Sequence, residues 1–209
     1  LPDYSVLIPD VLENLPLYQK KCTMLDALCQ GIESWWSVNA TEESAAFSRA
    51  AVKGVAANWQ AYIEGNDNKA ASQIMQAANA SGRAISITAT TAPHAMSYKL
   101  TSLYGIPHGH AVALCMQEVW PYLMAHAGEC IDPRGSAFFE RTMAEIAEEF
   151  SYKDFESLML ALDMKHPESG SRAKECELLA ESVNAERLKN NPVTLDRGIL
   201  LAMYERIVR

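Results

Sequence analysis

From Leu17 onward, apolar positions recur at the spacing that gives a helix one buried stripe. The segment 23–38 carries them at that interval, with Thr23 as a candidate cap. The next segment opens at Asn39, has Glu42 three residues later and closes on Gly65, a pattern that predicts a capping box and a glycine stop. "NKAASQIMQAANASG" predicts a short alanine-rich helix ended by Gly82, with side chains small enough for close helix packing. A further helix begins near Pro93, where the missing N–H costs little, and is broken by "YGIP". A mostly apolar helix over 111–127 follows, expected to be buried on several sides. Helices are also expected over 134–149, 152–162, 170–189 and 194–208, separated by "SYKD", "MKHPESGS" and "NNPVT". The fold class this predicts is all-α, a multi-helical domain of about eight helices.

One stretch departs from the helical pattern. "LPDYSVLIPDVL" starts with a strand-like run, Tyr4 to Ile8, and then a Pro-Asp turn. A lone strand cannot satisfy its own backbone groups. It either pairs as an edge ribbon or belongs to a sheet outside this chain. Residues 1–12 are therefore expected to be the end of another domain, and 13–209 the helical domain.

Composition narrows the partners. The chain has 209 residues, 49% of them hydrophobic, and a net charge of -8. It lacks the basic surplus of a nucleic-acid binder, so no nucleic-acid partner is expected. No apolar run approaches the ~20 residues that cross a bilayer, and no signal segment opens the chain. Cys22, Cys29, Cys115, Cys130 and Cys176 are scattered, odd in number and free of any CxxC pair. They read as reduced thiols in a reducing compartment. No membrane partner and a cytoplasmic location are the expectation.

The chemistry gathers in "TAPHAMSYKLTSLYGIPHGHAVAL", which holds three of the five histidines. His94 and His108 are fourteen residues apart, with a helix and a turn between them, so two arms can bring both rings to one point. Asp26 and Gln30 stand four apart and share a helix face, and Glu33 lies close to the same stripe. Taken singly, each histidine also reads as a satisfied core residue, and the polar stripe as a hydrogen-bonded cluster or a solvent face. Together, one carboxylate and two imidazoles suit Fe(II) or Zn(II) and leave positions open for a substrate oxygen. An ion there would act as a Lewis acid on a carbonyl or alkoxide.

"LDALCQGIESWWS", "TTAPHAMSY", "YGIPHGHAVAL" and the closing "NPVTLDRGILLAMYERI" resemble the iron-containing (group III) alcohol dehydrogenases. The resemblance implies a two-domain enzyme. A Rossmann-like N-terminal half binds NAD or NADP, and an all-helical C-terminal half holds the metal. This chain is similar to the helical half along nearly its whole length, and "PDYSVLIP" resembles the last strand of the nucleotide half. The implied metal positions are Asp26, Gln30, His94 and His108.

Gln30 stands where the family has histidine. An amide oxygen donates less well than imidazole to Fe(II) or Zn(II). Gln30 is thus either a weak fourth ligand or only a hydrogen-bond partner of the ligands, and glycerol dehydrogenase relatives hold zinc with an acid and two histidines. Tyr98 occupies the position of the family's proton-relaying histidine, which makes it the candidate catalytic residue, beside a plain packing role. His110 reads as a capping or packing residue, or one that orients a ligand. His126 suits a helix C-terminus and His166 a surface loop. Trp35, Trp36, Trp59 and Trp120 read as core or interface.

The reaction implied is hydride exchange between a nicotinamide and a small primary alcohol or aldehyde, in a homo-oligomer such as a dimer. Within the family, the wording around His94 and His108 most resembles the phosphonoacetaldehyde reductase branch. The alternatives are a dehydroquinate synthase-like reaction and a non-catalytic interaction domain, since no GxGxxG occurs in the chain.

Overall fold

The computed structural model describes residues 4–65 and 67–209. Ten α-helices occur among them: α1 Leu17–Trp36, α2 Glu42–Ile63, α3 Asn68–Thr88, α4 Ala92–Tyr104, α5 His108–Ala125, α6 Ser136–Glu149, α7 Tyr152–Ala161, α8 Arg172–Ser182, α9 Ala185–Leu188 and α10 Arg197–Ile207. Two 3-10 turns, Pro9–Leu12 and Ala127–Glu129, complete the elements. The one β-bridge among the described residues joins Cys130 to Val193.

The core is built around α1, which packs against α2, α3 and α5. It buries Leu25, Leu28, Ile32 and Trp36. Helix α5 is buried from Gly109 to Met116 without interruption, as its apolar sequence requires. Trp36 and Trp120 meet edge to face with centroids 5.8 Å apart, tying α1 to α5. Small residues let α2 and α3 approach closely: a Cβ added at Gly54 would stand 2.9 Å from Ala77 Cβ. All five cysteines are free thiols.

Several boundaries move from their expected places, each for a local reason. Tyr4 to Ile8 forms no strand. It runs without a ladder partner among the described residues, with Tyr4 and Val6 91% and 83% exposed. Residues 1–3 of the same stretch lie outside the described residues. Thr23 caps nothing, because α1 has already begun after Pro16 and the Thr23 hydroxyl donates back to Gln19 O at 2.9 Å. The capping box of α2 is Thr41 with Ser44, not Asn39 with Glu42. Asn39 instead donates to Thr88 O and Asn190 Oδ1.

Gly82 does not end α3, which continues to Thr88 and stops where Ala89 takes φ 55°. The expected 111–127 helix begins earlier, at His108 directly after Pro107. The expected 170–189 helix divides, because the Asn184 side chain accepts from Glu186 N–H and starts α9. The last helix starts at Arg197 rather than Thr194, capped by Asp196.

Pro121 lies inside α5 and cannot donate to Gln117 O. The Tyr152 hydroxyl at the start of α7 supplies that carbonyl with its hydrogen bond, at 2.9 Å. Replacing Tyr152 with Phe removes the donor and should destabilise the fold by about 1–2 kcal/mol, read as a lower midpoint in urea unfolding.

Gly109 generates a second prediction. A Cβ there would stand 2.0 Å from Cys22 O and 2.9 Å from Asp26 Cβ, so the first turn of α5 rests directly on the backbone of α1. Gly109→Ala should cost about 1–3 kcal/mol through overpacking. Gly82→Ala, at an exposed helical position with nothing within 4 Å, should stabilise by about 0.5–1 kcal/mol. Thermal unfolding of the two variants side by side tests both signs.

Candidate metal centre

Three elements converge on one point. Asp26 comes from the middle of α1, His94 from the first turn of α4 and His108 from the first residue of α5. Gly105 makes the reversal between α4 and α5 possible, with φ 65° at the end of α4. Gly109 then lets α5 settle against Cys22 and Asp26. His94 and His108 thus meet with ring centroids 5.2 Å apart.

The donor atoms of Asp26, His94 and His108 all lie within 4.8 Å of one another. Asp26 Oδ1 is 3.4 Å from His94 Nε2 and 3.8 Å from His108 Nε2. Ligands on a tetrahedral zinc-like ion with bonds near 2.1 Å stand about 3.4 Å apart. Asp26 Oδ1 and His94 Nε2 are also buried and make no hydrogen bond. Polar atoms left so are rare in folded proteins. The residues present therefore fit a divalent cation.

Each imidazole is fixed from behind. Glu33 is fully buried, and its Oε1 lies 2.5 Å from His94 Nδ1. A carboxylate only accepts, so Nδ1 carries a hydrogen, which leaves Nε2, on the Asp26 side, as the nitrogen that can ligate an ion once its own proton is displaced. The other Glu33 oxygen accepts from Thr91 N–H at 2.7 Å and from the Thr91 hydroxyl at 2.9 Å. Thr91 Oγ1 accepts in turn from Trp36 Nε1–H at 2.9 Å. Around His108, the Ser97 hydroxyl donates to His94 O and its oxygen lies 3.3 Å from His108 Nδ1. That leaves the His108 Nε2 lone pair toward Asp26.

The electrostatics follow the same arrangement. Burial opposes the charge on His94, but Glu33 and Asp26 outweigh it and lift the ring to about 9. Burial pulls His108 below its ordinary value; Asp26 pulls the other way and His94 adds to the lowering.

Gln30 is brought to the site with its amide oxygen turned away from it. Its Nε2 donates to Asp26 Oδ2 at 2.8 Å, and its oxygen accepts from the Ser81 hydroxyl at 3.0 Å. The carboxylate partner requires the NH₂ group on the Asp26 side, so the orientation follows from the chemistry. Tyr98 stacks on His108 with centroids 5.4 Å apart, and its hydroxyl oxygen accepts from Arg187 Nη1 at 2.8 Å. His110 packs away from this cluster, with Nδ1 at 2.8 Å from the Tyr18 hydroxyl. His126 stacks on Tyr122 at the end of α5, and His166, in its loop, reaches Ile207 O.

The pattern of residues alone did not assign roles to Thr91, Ser81, Ser97 or Arg187. Glu33 did carry a signal, a charged group on the buried stripe of an apolar helix. Arg187 carried none.

A family model described as Fe-containing alcohol dehydrogenase family, C-terminal, matches residues 21–208. The chain is 34% identical to phosphonoacetaldehyde reductase of Streptomyces viridochromogenes, over 95% of this chain and 52% of that protein. It is 26% identical to 4-hydroxybutyrate dehydrogenase of Clostridium kluyveri, over 98% of this chain and 57% of that protein. Its fold superposes on an iron-containing alcohol dehydrogenase from Thermotoga maritima with TM-score 0.83 and 25% identity, covering 99% of this chain and 54% of that one. The chain thus spans about half the length of the curated relatives it matches. With residues 21–208 matched and the helical architecture shared, the chain belongs to the iron-containing alcohol dehydrogenase family and carries its C-terminal domain.

Proposed function

We propose that this chain is the metal-holding half of an NAD(P)-linked oxidoreductase that interconverts a small primary alcohol and its aldehyde. Asp26, His94 and His108 are the ligands, with Fe(II) as the ion and Zn(II) as the alternative. One observation carries the reading: Asp26 Oδ1 and His94 Nε2 are buried, lack hydrogen bonds and lie 3.4 Å apart beside a second imidazole. Without an ion the two atoms face only each other, as a long ion pair that leaves the second imidazole outside it.

Bound there, the ion would supply Lewis acidity toward a carbonyl or alkoxide oxygen. The chain's own residues do the positioning. Glu33 holds His94 in one tautomer, and Ser97 does so for His108. Gln30 acts as a brace for Asp26 rather than a fourth ligand, since its oxygen is engaged by Ser81. Tyr98 is the proton-donating candidate: its oxygen accepts from Arg187, so its own O–H hydrogen is free for a substrate oxygen at the rim.

The nicotinamide is assigned to a second, nucleotide-binding domain of which residues 1–12 are the end, as the family resemblance implies. The nearby relative's substrate, phosphonoacetaldehyde, makes a short aldehyde the first to assay. A cytoplasmic homodimer is the proposed setting, in keeping with five free cysteines.

In the full-length protein, His108→Ala should abolish both metal retention after dialysis and turnover. Gln30→Ala should keep the metal, with affinity within about tenfold, because a brace is lost and not a ligand. Elemental analysis of the dialysed variants reads both; unchanged turnover in His108→Ala would remove the site assignment. Glu33→Gln leaves His94 without its anionic partner and should weaken metal affinity by about 10–100-fold, measured by competition with a chelating dye.

A further inference from the structure

We propose that Arg187, braced against Tyr98 at the rim of the candidate metal centre, binds an oxyanion carried by the substrate. The site is then built for a short aldehyde or alcohol with a phosphonate-like group at its far end. This rests on the oxidoreductase reading above.

Arg187 sits on α9, a single turn separated from α8 by Val183 and Asn184. Its guanidinium lies 4.8 Å from the Tyr98 ring centroid and donates one hydrogen bond to the Tyr98 oxygen. The Tyr98 ring stacks on His108 at 5.4 Å, only 19° from parallel. The cation therefore stands one aromatic ring away from a candidate metal ligand, on the same side as the Tyr98 hydroxyl offered to substrate.

Its partners leave its charge available. Arg49, Arg134, Arg197 and Arg206 each pair with a carboxylate. Arg187, like Arg83, Arg141, Arg172 and Arg209, pairs with no carboxylate among the described residues, and the acid beside it, Glu186, is taken by Lys189 at 2.7 Å; what sets Arg187 apart is its place on the Tyr98–His108 stack. Tyr98 is neutral, so it orients the guanidinium without cancelling its charge. The remaining N–H groups form a planar fork that matches the oxygens of a phosphonate or carboxylate. In a chain of net charge -8, an anionic substrate needs such a local cation to be held at this rim.

Arg187→Gln in the metal-loaded, full-length protein tests the assignment. The expected result is a fall in kcat/KM at least about 30-fold greater for phosphonoacetaldehyde than for propanal, the loss on propanal reading the shared contact to Tyr98. Binding of phosphonoacetate, followed by calorimetry, should weaken by at least about tenfold, and Arg187→Lys should recover part of it. Metal content should not change. An equal loss on both aldehydes would mean that Arg187 acts only through Tyr98 and His108, which overturns the proposal. A change confined to NAD(P)H affinity would assign the arginine to the cofactor's phosphates and also overturn it. If the parent protein turns over neither aldehyde, the oxidoreductase reading fails and the phosphonoacetate titration decides: binding lost in Arg187→Gln upholds the oxyanion site, and binding unchanged ends it.

Discussion

A carboxylate sealed from water governs this structure. Glu33 is fully buried, where an unpaired charge is unsustainable. Its environment answers with a backbone N–H and a hydroxyl from Thr91 and the Nδ1–H of His94. Thr91 is the N-cap residue of α4, so the anion also lies at the positive end of a helix. One charge thereby fixes the start of α4 against the last turn of the core helix. The ring nitrogen presented to Asp26 is a consequence of that pairing.

The second constraint is steric. His108 reaches Asp26 only because α5 begins with its backbone against Cys22 O, a place where no side chain fits. The Gly105 reversal and the Gly109 contact act in series. The first turns the chain round, and the second sets how closely it returns. The shared helical architecture and the site geometry are thus one property of the sequence, since the same turn that packs α5 delivers its first residue to the ion-binding point.

Much of this was legible from residue order. Periodicity located nearly every helix, because burial of one stripe leaves a trace that needs no knowledge of neighbours. Asp26, His94 and His108 were legible through spacing and resemblance. Gln30 was left open, since the direction of an amide depends on Ser81, which α3 supplies from far along the chain. The start of α2 was misread because Asn39 and Thr41 are both good caps. Contacts to Thr88 and Asn190 claim Asn39 for a different task. The run Tyr4–Ile8 was suspect as a strand for want of a partner within the chain, and it finds none among the described residues. Arg187 was invisible because an exposed cation on a predicted continuous helix looks like a solvated one.

The two imidazoles differ sharply in their access to water: the His94 side chain is 4% exposed and that of His108 37%. For an arriving ion this implies an order of events. The inner pair, Asp26 and His94, is shielded from water, while the outer ring, clamped between Ser97 and Tyr98, is the one an ion meets from outside. Loading and escape would then share one doorway, and the residence time of the ion would be governed by how tightly the outer ring is clamped.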